Sequence, residues 1–321
     1  MAFSSWFSQT YPPAPTFSED DIPRQNGKVF MVTGGNDGVG LALIKLLYPT
    51  GATIYMASRS RSRAKKAISE ITSTDPSGTA RLKFLHIDLA DLPTVHSAAA
   101  TFSAQEERLD ILWNNAGVAV QPFGAKTKQG IEVHMGVNVV AHLLLVKLLL
   151  PKLRFAAASS RKNGTRVIWT SSHLMELKAP VGGVNLADVE NGGVRDVQVN
   201  YGASKAANWM VSHECGRRYG RDGIISVCQN PGNLTTKVWD GQPWWVMCVV
   251  NTYLHPPKMG AYTELFAGFS EEITERHQGA YVIPWGRVQE GNPRRDIYTA
   301  LEEGMGRVLW EWCERKIEGC C

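Results

Sequence analysis

The stretch Thr33-Gly-Gly-Asn-Asp-Gly-Val-Gly40 follows a short apolar run and opens a helical pattern. Its glycines at positions 34, 38 and 40 have the spacing G-x-x-x-G-x-G, a variant of the commoner G-x-G-x-x-G. Glycine lets the backbone turn tightly and approach a pyrophosphate, and a helix N-terminus offers free N–H groups and a favourable dipole. A plain turn is the alternative, but the strand–loop–helix order favours a dinucleotide-binding loop. Its candidate cofactor contacts are Gly34, Asn36, Asp37, Gly38, Val39 and Gly40.

Along the rest of the chain, β-rich apolar runs alternate with longer helical patterns. The predicted strands are residues 29–33, 52–58, 82–87, 111–113, 166–170, 224–229 and 280–283. The predicted helices lie near residues 40–48, 61–72, 92–107, 130–155, 201–219 and 259–269. Apolar strands separated by helix-length segments imply a parallel sheet with helices on both faces. The predicted fold class is α/β, a single Rossmann-type doubly wound sheet that binds its ligands at the carboxyl ends of the strands.

Residues that are unusual at strand ends, either glycine, proline or polar, follow six successive predicted strands. In chain order these are the glycine loop, Arg59, Asp88, Asn114-Asn115-Ala116-Gly117, Ser171-Ser172 and Pro231-Gly232. Because the carboxyl ends of parallel strands meet at one edge, this pattern predicts a single crevice lined by all six segments.

The end of the second strand predicts the choice of cofactor. An acidic residue at this point binds the ribose 2′-hydroxyl of NAD, whereas an arginine suits the 2′-phosphate of NADP. The chain has Arg59 here and no Asp or Glu nearby, so NADP(H) is the expected cofactor. For Arg61 and Arg63 the interpretation is a solvated basic helix start.

Tyr201 and Lys205 are four positions apart, which on a helix puts them on one face, one turn apart. A phenol titrates near pH ~10 and is a poor acid or base at neutrality. A fixed positive charge beside it favours the phenolate and brings its pKa toward the range of a general acid/base. With a dinucleotide loop, this pair predicts hydride transfer coupled to proton transfer at a carbonyl or alcohol.

These motifs together resemble the short-chain dehydrogenase/reductase family over roughly residues 28–236. The matching pieces are Thr33 to Gly40, Asp88-Leu89, Asn114 to Gly117, Asn138, Ser171-Ser172, Tyr201 to Lys205 and Pro231 to Thr236. Two further stretches resemble the retinol-dehydrogenase-like branch, namely Tyr55-Met-Ala-Ser-Arg59 and Gly130-Ile-Glu-Val-His-Met-Gly-Val-Asn138.

The resemblance implies four catalytic residues. Tyr201 would be the general acid/base at the substrate oxygen, and Lys205 would bind the nicotinamide ribose and lower the Tyr201 pKa. Ser172, rather than Ser171, would hydrogen-bond the same oxygen, and Asn138 would hold a water in a proton relay. Fixed donors at this point would stabilise the charge that hydride transfer builds on the oxygen.

The resemblance also implies the remaining cofactor contacts. They would be Asp88 and Leu89 around the adenine, Asn115 and Ala116 along the adenosine ribose, and Pro231, Leu234 and Thr236 beside the nicotinamide. Leu234 stands where the family pattern P-G-x-V-x-T has valine, a conservative departure. His134, His142 and His173 have no metal-ligand spacing, so packing or surface roles are expected for them.

The composition of the chain limits its expected partners and its expected location in the cell. The net charge of +4 is spread along the chain, which predicts no nucleic-acid partner. The six cysteines show no zinc or disulfide spacing and no signal peptide is visible, so cytoplasm is the expected location. Residues 139–150 are too few to span a bilayer, so no stable membrane insertion is expected. The pair Cys320-Cys321 is either a frayed tail or a lipidation signal.

Three regions lie outside the recognised motifs. Residues 1–26, with four prolines and no apolar period, are predicted to form an arm before a single domain of residues 27–321. Residues 139–150 are apolar around most of a helix, which predicts a homodimer through the uncovered face. A substrate-cap segment is predicted at about residues 237–257, where three tryptophans occur within seven residues. Its alternatives are plain packing and shallow membrane contact.

The predicted function is NADP(H)-dependent hydride transfer to the carbonyl of a lipophilic ketone or aldehyde, with oxidation of a secondary alcohol as the reverse. A retinoid-like, steroid-like or secondary-metabolite substrate is expected. The alternative is a catalytically silent NADP-binding regulatory protein, which is disfavoured because such a protein should have lost Tyr201 or Lys205.

Overall fold

A computed structural model describes residues 3–75, 78, 81–119, 121–235, 251–289 and 294–319 of the chain. Its strands are β1 Val29–Thr33, β2 Thr53–Ser58, β3 Leu82–His86, β4 Ile111–Asn114, β5 Thr165–Thr170, β6 Ile224–Gln229, β7 Tyr281–Ile283 and β8 Arg287–Val288. They form one sheet in the order β3-β2-β1-β4-β5-β6-β7-β8. Strands β1 to β7 are parallel to their neighbours, and β8 pairs antiparallel to β7.

Helices cover both faces of this sheet. In chain order they are α1 Phe3–Thr10, α2 Gly38–Leu47, α3 Arg61–Thr72, α4 Leu92–Gln105, α5 Val133–Met135, α6 Ala141–Ser159, α7 Leu174–Lys178, α8 Leu186–Glu190, α9 Val197–Tyr219, α10 Pro257–Phe269, α11 Arg295–Glu302 and α12 Met305–Glu318. A π-helical turn, Gly136–Val140, joins α5 to α6. Two apolar clusters, one on each face, form the core and bury the central strands completely.

The predicted doubly wound α/β fold is confirmed. All seven predicted strands are present to within one residue at either end, and the six predicted helices are present with shifted ends. The central strands were predictable because they are buried on both faces and are therefore mostly apolar. The elements β8, α7, α8, α11 and α12 were not predicted. β8, α7 and α8 have only two to five residues, too few to show an apolar period. Helices α11 and α12 do bury a regular apolar face, which includes Ile297, Leu309 and Cys313, so the sequence carried a signal for them that the prediction missed.

The helix that continues from α5 into α6 is long and apolar enough to cross a membrane, but 83% of its most apolar 18-residue stretch is buried inside the fold. It packs against α4 on one side, and its Lys147 forms an ion pair with Glu314 of α12 on the other. The uncovered apolar face on which the homodimer prediction rested is therefore covered by the chain itself. The homodimer stays a prediction, which light scattering tests.

The N-terminal segment contains an element that its sequence did not predict. Helix α1 lies in the part expected to be an arm without periodicity, and the side chains of Gln9 and Thr10 at its end are buried. Of the predicted substrate-cap segment, about residues 237–257, the part up to residue 250 lies outside the described residues.

Candidate active site

The six parallel strands β1 to β6 bring the predicted site residues to one edge of the sheet. β1 and β4 are neighbours although they are distant in the chain, so the sheet reverses its order between them. Ligands of such sheets bind at the carboxyl edge beside this reversal. Of the predicted site residues, Thr236 lies outside the described residues.

The glycine loop after β1 is built around Asn115. The side-chain amide of Asn115 donates a hydrogen bond of 2.8 Å to the carbonyl oxygen of Thr33. A Cβ atom on Gly40 would lie only 2.6 Å from that amide nitrogen, and one on Gly34 would lie 3.2 Å from it. These two positions therefore require glycine because the loop packs directly on the segment after β4.

Gly38 has a different reason to be glycine. It begins α2 with φ +54, and nothing lies within 4 Å of the place where its Cβ would stand. The Asp37 side chain caps the helix by accepting a 2.9 Å hydrogen bond from the Gly38 N–H. Asn36 and Val39 are half-buried in the same turn. The loop is thus open toward solvent at the helix N-terminus, where an anion is favoured.

The three arginines after β2 are used differently. Arg61 stacks on the Phe84 ring at 5.3 Å, and Arg63 lies 3.8 Å from the Asp37 carboxylate. Arg59 is exposed at the end of β2 and has no ion-pair partner among the residues that the structure describes. Its guanidinium is therefore available to an external anion.

The predicted adenine and nicotinamide contacts lie in ordered turns. Asp88 Oδ1 accepts a 3.0 Å hydrogen bond from the Ala90 N–H, and the neighbouring Leu89 is buried. Pro231 is half-buried, whereas Leu234 is buried. Leu234 packs directly on Gly260, where an added Cβ atom would lie only 2.4 Å from Leu234 Cδ1. Ala116 is held by a 3.0 Å hydrogen bond from its N–H to the Thr33 hydroxyl.

Tyr201 and Ser172 meet at the carboxyl edge. Burial raises the pKa of the Tyr201 phenol above its ordinary value of 10.0, and a hydrogen bond with the Ser172 hydroxyl opposes that rise. The neighbouring Ser171 faces inward instead, where its hydroxyl donates a 2.9 Å hydrogen bond to the carbonyl oxygen of Lys205. The structure therefore brings Ser172, and not Ser171, to the phenol.

Lys205 lies below the phenol and is almost completely buried. Its Nζ is 5.5 Å from the centre of the Tyr201 ring, and it donates a 2.9 Å hydrogen bond to the carbonyl oxygen of Thr170. Burial lowers the pKa of Lys205 to about 8. The sequence predicted that the Lys205 charge would lower the Tyr201 pKa, but in this structure burial is the larger influence on the phenol.

Asn138 lies in the π-helical turn beside Lys205. Its Oδ1 accepts a 2.8 Å hydrogen bond from the Val118 N–H, and its Nδ2 donates to the Ser204 hydroxyl at 2.9 Å. A Cβ on Gly117 would lie 3.1 Å from Asn138 Oδ1 and 3.2 Å from Lys205 Nζ. The absence of a side chain at Gly117 thus leaves the space in which these two polar groups approach each other. Single π-helical turns are frequent at functional sites.

His142 was expected to have a packing or surface role, but it connects the two halves of the site. Its Nδ1 faces the carbonyl oxygen of Asn138 at 3.0 Å, and its Nε2 faces the Thr33 hydroxyl at 3.0 Å. Burial lowers the pKa of His142 to about 4, so the ring is neutral and its Nδ1 donates to that carbonyl. A histidine inside a strongly apolar helix needs such partners, and this was the signal in the sequence.

His134 was expected to have a packing or surface role, and Glu264 was not assigned a role from the sequence. The buried His134 ring packs edge-on against the Tyr201 ring with 6.2 Å between centres, and its Nδ1 lies 2.6 Å from Glu132 Oε1.

The Glu264 carboxyl is completely buried and accepts hydrogen bonds from the Thr170 hydroxyl and the Gln229 amide. His173 is buried next to Ser172, and burial lowers its pKa to about 4.

Comparison with known proteins agrees with this geometry. The family model of the short chain dehydrogenases matches residues 28–244. The short-chain dehydrogenase/reductase iacJ of Pestalotiopsis fici is 52% identical over 318 residues, which cover 98% of this chain and 97% of that protein. The chain belongs to the short-chain dehydrogenase/reductase family. The predicted family is thereby confirmed, and the retinol-dehydrogenase-like branch remains a prediction.

Two solved structures show how far the fold of this short-chain dehydrogenase/reductase is shared. The NADP active-site complex of RhlG from Pseudomonas aeruginosa has a TM-score of 0.62 at 22% identity, covering 84% of this chain and 97% of that one. The NADPH-bound carbonyl reductase from chicken fatty liver has a TM-score of 0.61 at 21% identity, covering 83% and 100%. At these identities the likeness concerns the fold.

Proposed function

We propose that this short-chain dehydrogenase/reductase transfers hydride between NADPH and the carbonyl of a lipophilic ketone or aldehyde, with oxidation of a secondary alcohol as the reverse. The observation that carries the proposal is the phenol of Tyr201. It is hydrogen-bonded to Ser172, lies above the buried ammonium of Lys205, and stands at the edge of the sheet that also bears the glycine loop.

The residues present fit NADP(H). The open side of Gly38 at the start of α2 leaves room and free N–H groups for a pyrophosphate, and Arg59 would hold the 2′-phosphate. Gly34 and Gly40 would keep the loop close to Asn115, and Lys205 would bind the nicotinamide ribose. The bound cofactor would supply the hydride. RhlG and the chicken carbonyl reductase, which share the fold, are complexes with NADP and NADPH.

The chain's own residues would supply the proton and the orientation. In the reductive direction, Tyr201 Oη would give its proton to the substrate oxygen as negative charge develops there. The Ser172 hydroxyl would hydrogen-bond the same oxygen and fix its position. Burial keeps the proton on Tyr201, which suits a general acid. The buried ammonium of Lys205 would stabilise the phenolate that remains.

The lipophilic character of the substrate rests on sequence rather than on described geometry. Trp239, Trp244 and Trp245 lie within seven residues, just after the predicted nicotinamide contacts, and outside the described residues. Aromatic side chains provide large apolar contact areas, which favour a bulky carbonyl compound over a sugar or a small polar acid.

A screen of ketones, quinones and aldehydes tests the proposal, with the decrease in NADPH absorbance as the measure of turnover. We expect turnover of at least one bulky apolar carbonyl compound, and turnover slower by about 100-fold or more in the Tyr201→Phe variant. NADPH binding without turnover of any compound would instead support the catalytically silent regulatory protein, because that alternative keeps the cofactor site and lacks the chemistry.

A further inference from the structure

Helix α1 is anchored at the carboxyl edge of the sheet by the buried side chain of Gln9. Gln9 is 1% exposed, its Nε2 donates a 2.7 Å hydrogen bond to Glu176 Oε1, and its Oε1 accepts a 2.9 Å hydrogen bond from Asn230 Nδ2. A residue from the start of the chain thus joins two segments more than 160 positions away.

The orientation of these amides follows from the backbone. The N–H of Gly232 must donate, and it donates to Asn230 Oδ1 at 3.0 Å. The Nδ2 group of Asn230 therefore faces Gln9 and donates to the Gln9 side-chain oxygen. The NH₂ group of Gln9 consequently points toward the Glu176 carboxylate. A buried amide with both ends satisfied specifies one position for α1, because a shifted helix would leave buried polar groups unpaired.

Both partners of Gln9 lie next to the proposed catalytic centre. Glu176 is in α7, four residues after Ser172, which lies two residues before that helix begins. The Ser172 hydroxyl accepts a 3.2 Å hydrogen bond from the N–H of Leu174, the first residue of α7, and so connects this serine to the helix that carries Glu176. Asn230 directly follows β6 and precedes Pro231, a proposed nicotinamide contact. Gln9 therefore links the segments that follow β5 and β6.

The rest of α1 is held by the segments beyond β6 and β7. The Arg287 guanidinium donates 2.8 Å hydrogen bonds to the hydroxyl and the carbonyl oxygen of Ser8, near the negative end of the helix dipole. His255 Nε2 lies 3.3 Å from the carbonyl oxygen of Thr10. The helix thus contacts the segments that follow β5, β6 and β7, which are the segments that surround a ligand in this fold.

Aromatic side chains accompany these contacts. The Tyr11 ring packs against Phe7 at 5.3 Å and edge-on against Trp6 at 6.5 Å between ring centres. Phe7 is 51% exposed and Tyr11 is 43% exposed, so the cluster presents apolar surface at the carboxyl edge. Such surface suits a large apolar ligand better than a small polar one.

We propose that α1 forms one wall of the substrate site and that Gln9 is a specificity-determining residue, which acts by positioning Glu176 and Asn230. The ligand class is a bulky apolar carbonyl compound long enough to reach from Tyr201 to α1. The proposal rests on the proposed function, since it assumes that the substrate binds at this edge. A small aldehyde, which occupies only the space around Tyr201 and Ser172, would not contact the wall.

The test compares Gln9→Leu with wild type on 2-decalone and propanal, with NADPH as the reductant. Leucine has a similar volume and loses both hydrogen bonds. We expect kcat/KM for 2-decalone to fall about tenfold or more, mainly through KM, on the scale of one buried hydrogen bond to a charged group. For propanal we expect a change below about twofold. Gln25→Leu, on the exposed segment before β1, is the matched control.

A second variant separates positioning from mere stability. Gln9→Glu keeps the shape of the side chain but places a second carboxyl group beside Glu176. The two carboxyl groups can form a hydrogen bond only when they share a proton, so the link between position 9 and Glu176 forms only at low pH. We expect its kcat/KM for 2-decalone, relative to wild type, to recover as the pH falls from about 8 to about 5.5. Equal losses for both ketone and aldehyde, or no pH-dependent recovery, would show that α1 is a structural strap only.

Failure of the proposed reductase activity can be distinguished from failure of the α1 proposal. If wild type turns over neither compound, the binding of 2-decalone in the presence of NADP⁺ still tests the wall through quenching of tryptophan fluorescence. Weaker binding to Gln9→Leu than to Gln25→Leu supports the wall, and equal binding overturns it.

Discussion

Lys205 Nζ donates a 2.9 Å hydrogen bond to the backbone carbonyl oxygen of Thr170, the last residue of β5. The same oxygen accepts the Asn208 side-chain amide at 2.9 Å, and the Thr170 hydroxyl donates to Glu264 Oε1 at 3.1 Å. One strand-end residue thus fixes the buried ammonium and links it to a buried carboxyl. The sheet, rather than a flexible loop, sets the height of Lys205 below Tyr201, which is a rigid arrangement for a catalytic group.

The buried carboxyl should make stability depend on pH. Burial raises the pKa of Glu264 from 4.5 to about 8, so the folded state keeps a proton that the unfolded state loses above pH 4.5. The stability of the wild type therefore falls as the pH rises through this range, with a limiting slope of about 1.4 kcal/mol per pH unit.

Glu264→Gln removes the titration and keeps an amide that mimics the protonated carboxyl. In urea unfolding, we expect equal stability of variant and wild type near pH 4.5, and a variant more stable by about 1 kcal/mol or more at pH ~8. A stability difference that does not vary with pH would contradict the assignment of a neutral Glu264.

Tyr201→Phe should separate binding from chemistry. The substitution removes the proton but keeps the ring that packs on His134. We expect kcat to fall by about 100-fold or more, the range of general acid catalysis, while the Kd of NADPH stays within about twofold. Tyr262→Phe on α10, whose ring lies under Lys258, is the matched control. If the Tyr201 variant retains most of the wild-type kcat, another residue supplies the proton.

Gly117→Ala tests the space shared by Lys205 and Asn138. The new methyl group would lie 3.1 Å from Asn138 Oδ1 and 3.2 Å from Lys205 Nζ, so one of them must move by a few tenths of an ångström. Gly117 is exposed, so we expect a change in unfolding free energy below about 0.5 kcal/mol and a fall in kcat of about tenfold. Gly319→Ala, with its nearest atom at 3.5 Å, is the control. Unchanged kcat would show that this space is not used.

The sequence predicted the parts of the molecule that local patterns determine. Strands such as β1 and β6 are buried on both faces and are therefore mostly apolar, and glycines 34 and 40 are required by direct contact with Asn115. Tyr201 and Lys205 could be paired because helical spacing alone puts them on one face.

Long-range contacts explain what the sequence did not predict. Gln9 is an ordinary polar residue until the fold brings it to Glu176 and Asn230. The ion pair between Lys147 of α6 and Glu314 of α12 is likewise invisible in the apolar pattern of α6 itself. The predicted lowering of the Tyr201 pKa was wrong for the same reason, because burial raises this pKa and burial depends on the whole fold.

The preference for NADPH over NADH depends on Arg59 in our proposal. It is exposed after β2, has no ion-pair partner among the described residues, and lies where a 2′-phosphate would meet it. A charge-assisted hydrogen bond contributes ~1.5–3 kcal/mol, so Arg59→Ala should reduce the ratio of the NADH and NADPH dissociation constants by about tenfold or more.

Arg61→Ala is the matched control, because that guanidinium stacks on Phe84 and should leave the ratio within about twofold of wild type. Titration of intrinsic fluorescence with each cofactor measures both constants without turnover. High salt should weaken the wild-type preference and leave the Arg59→Ala ratio nearly unchanged, since an exposed ion pair is screened. Equal affinity of the wild type for NADH and NADPH would refute the assignment of Arg59, and the glycine loop would then bind a pyrophosphate without selecting the ribose.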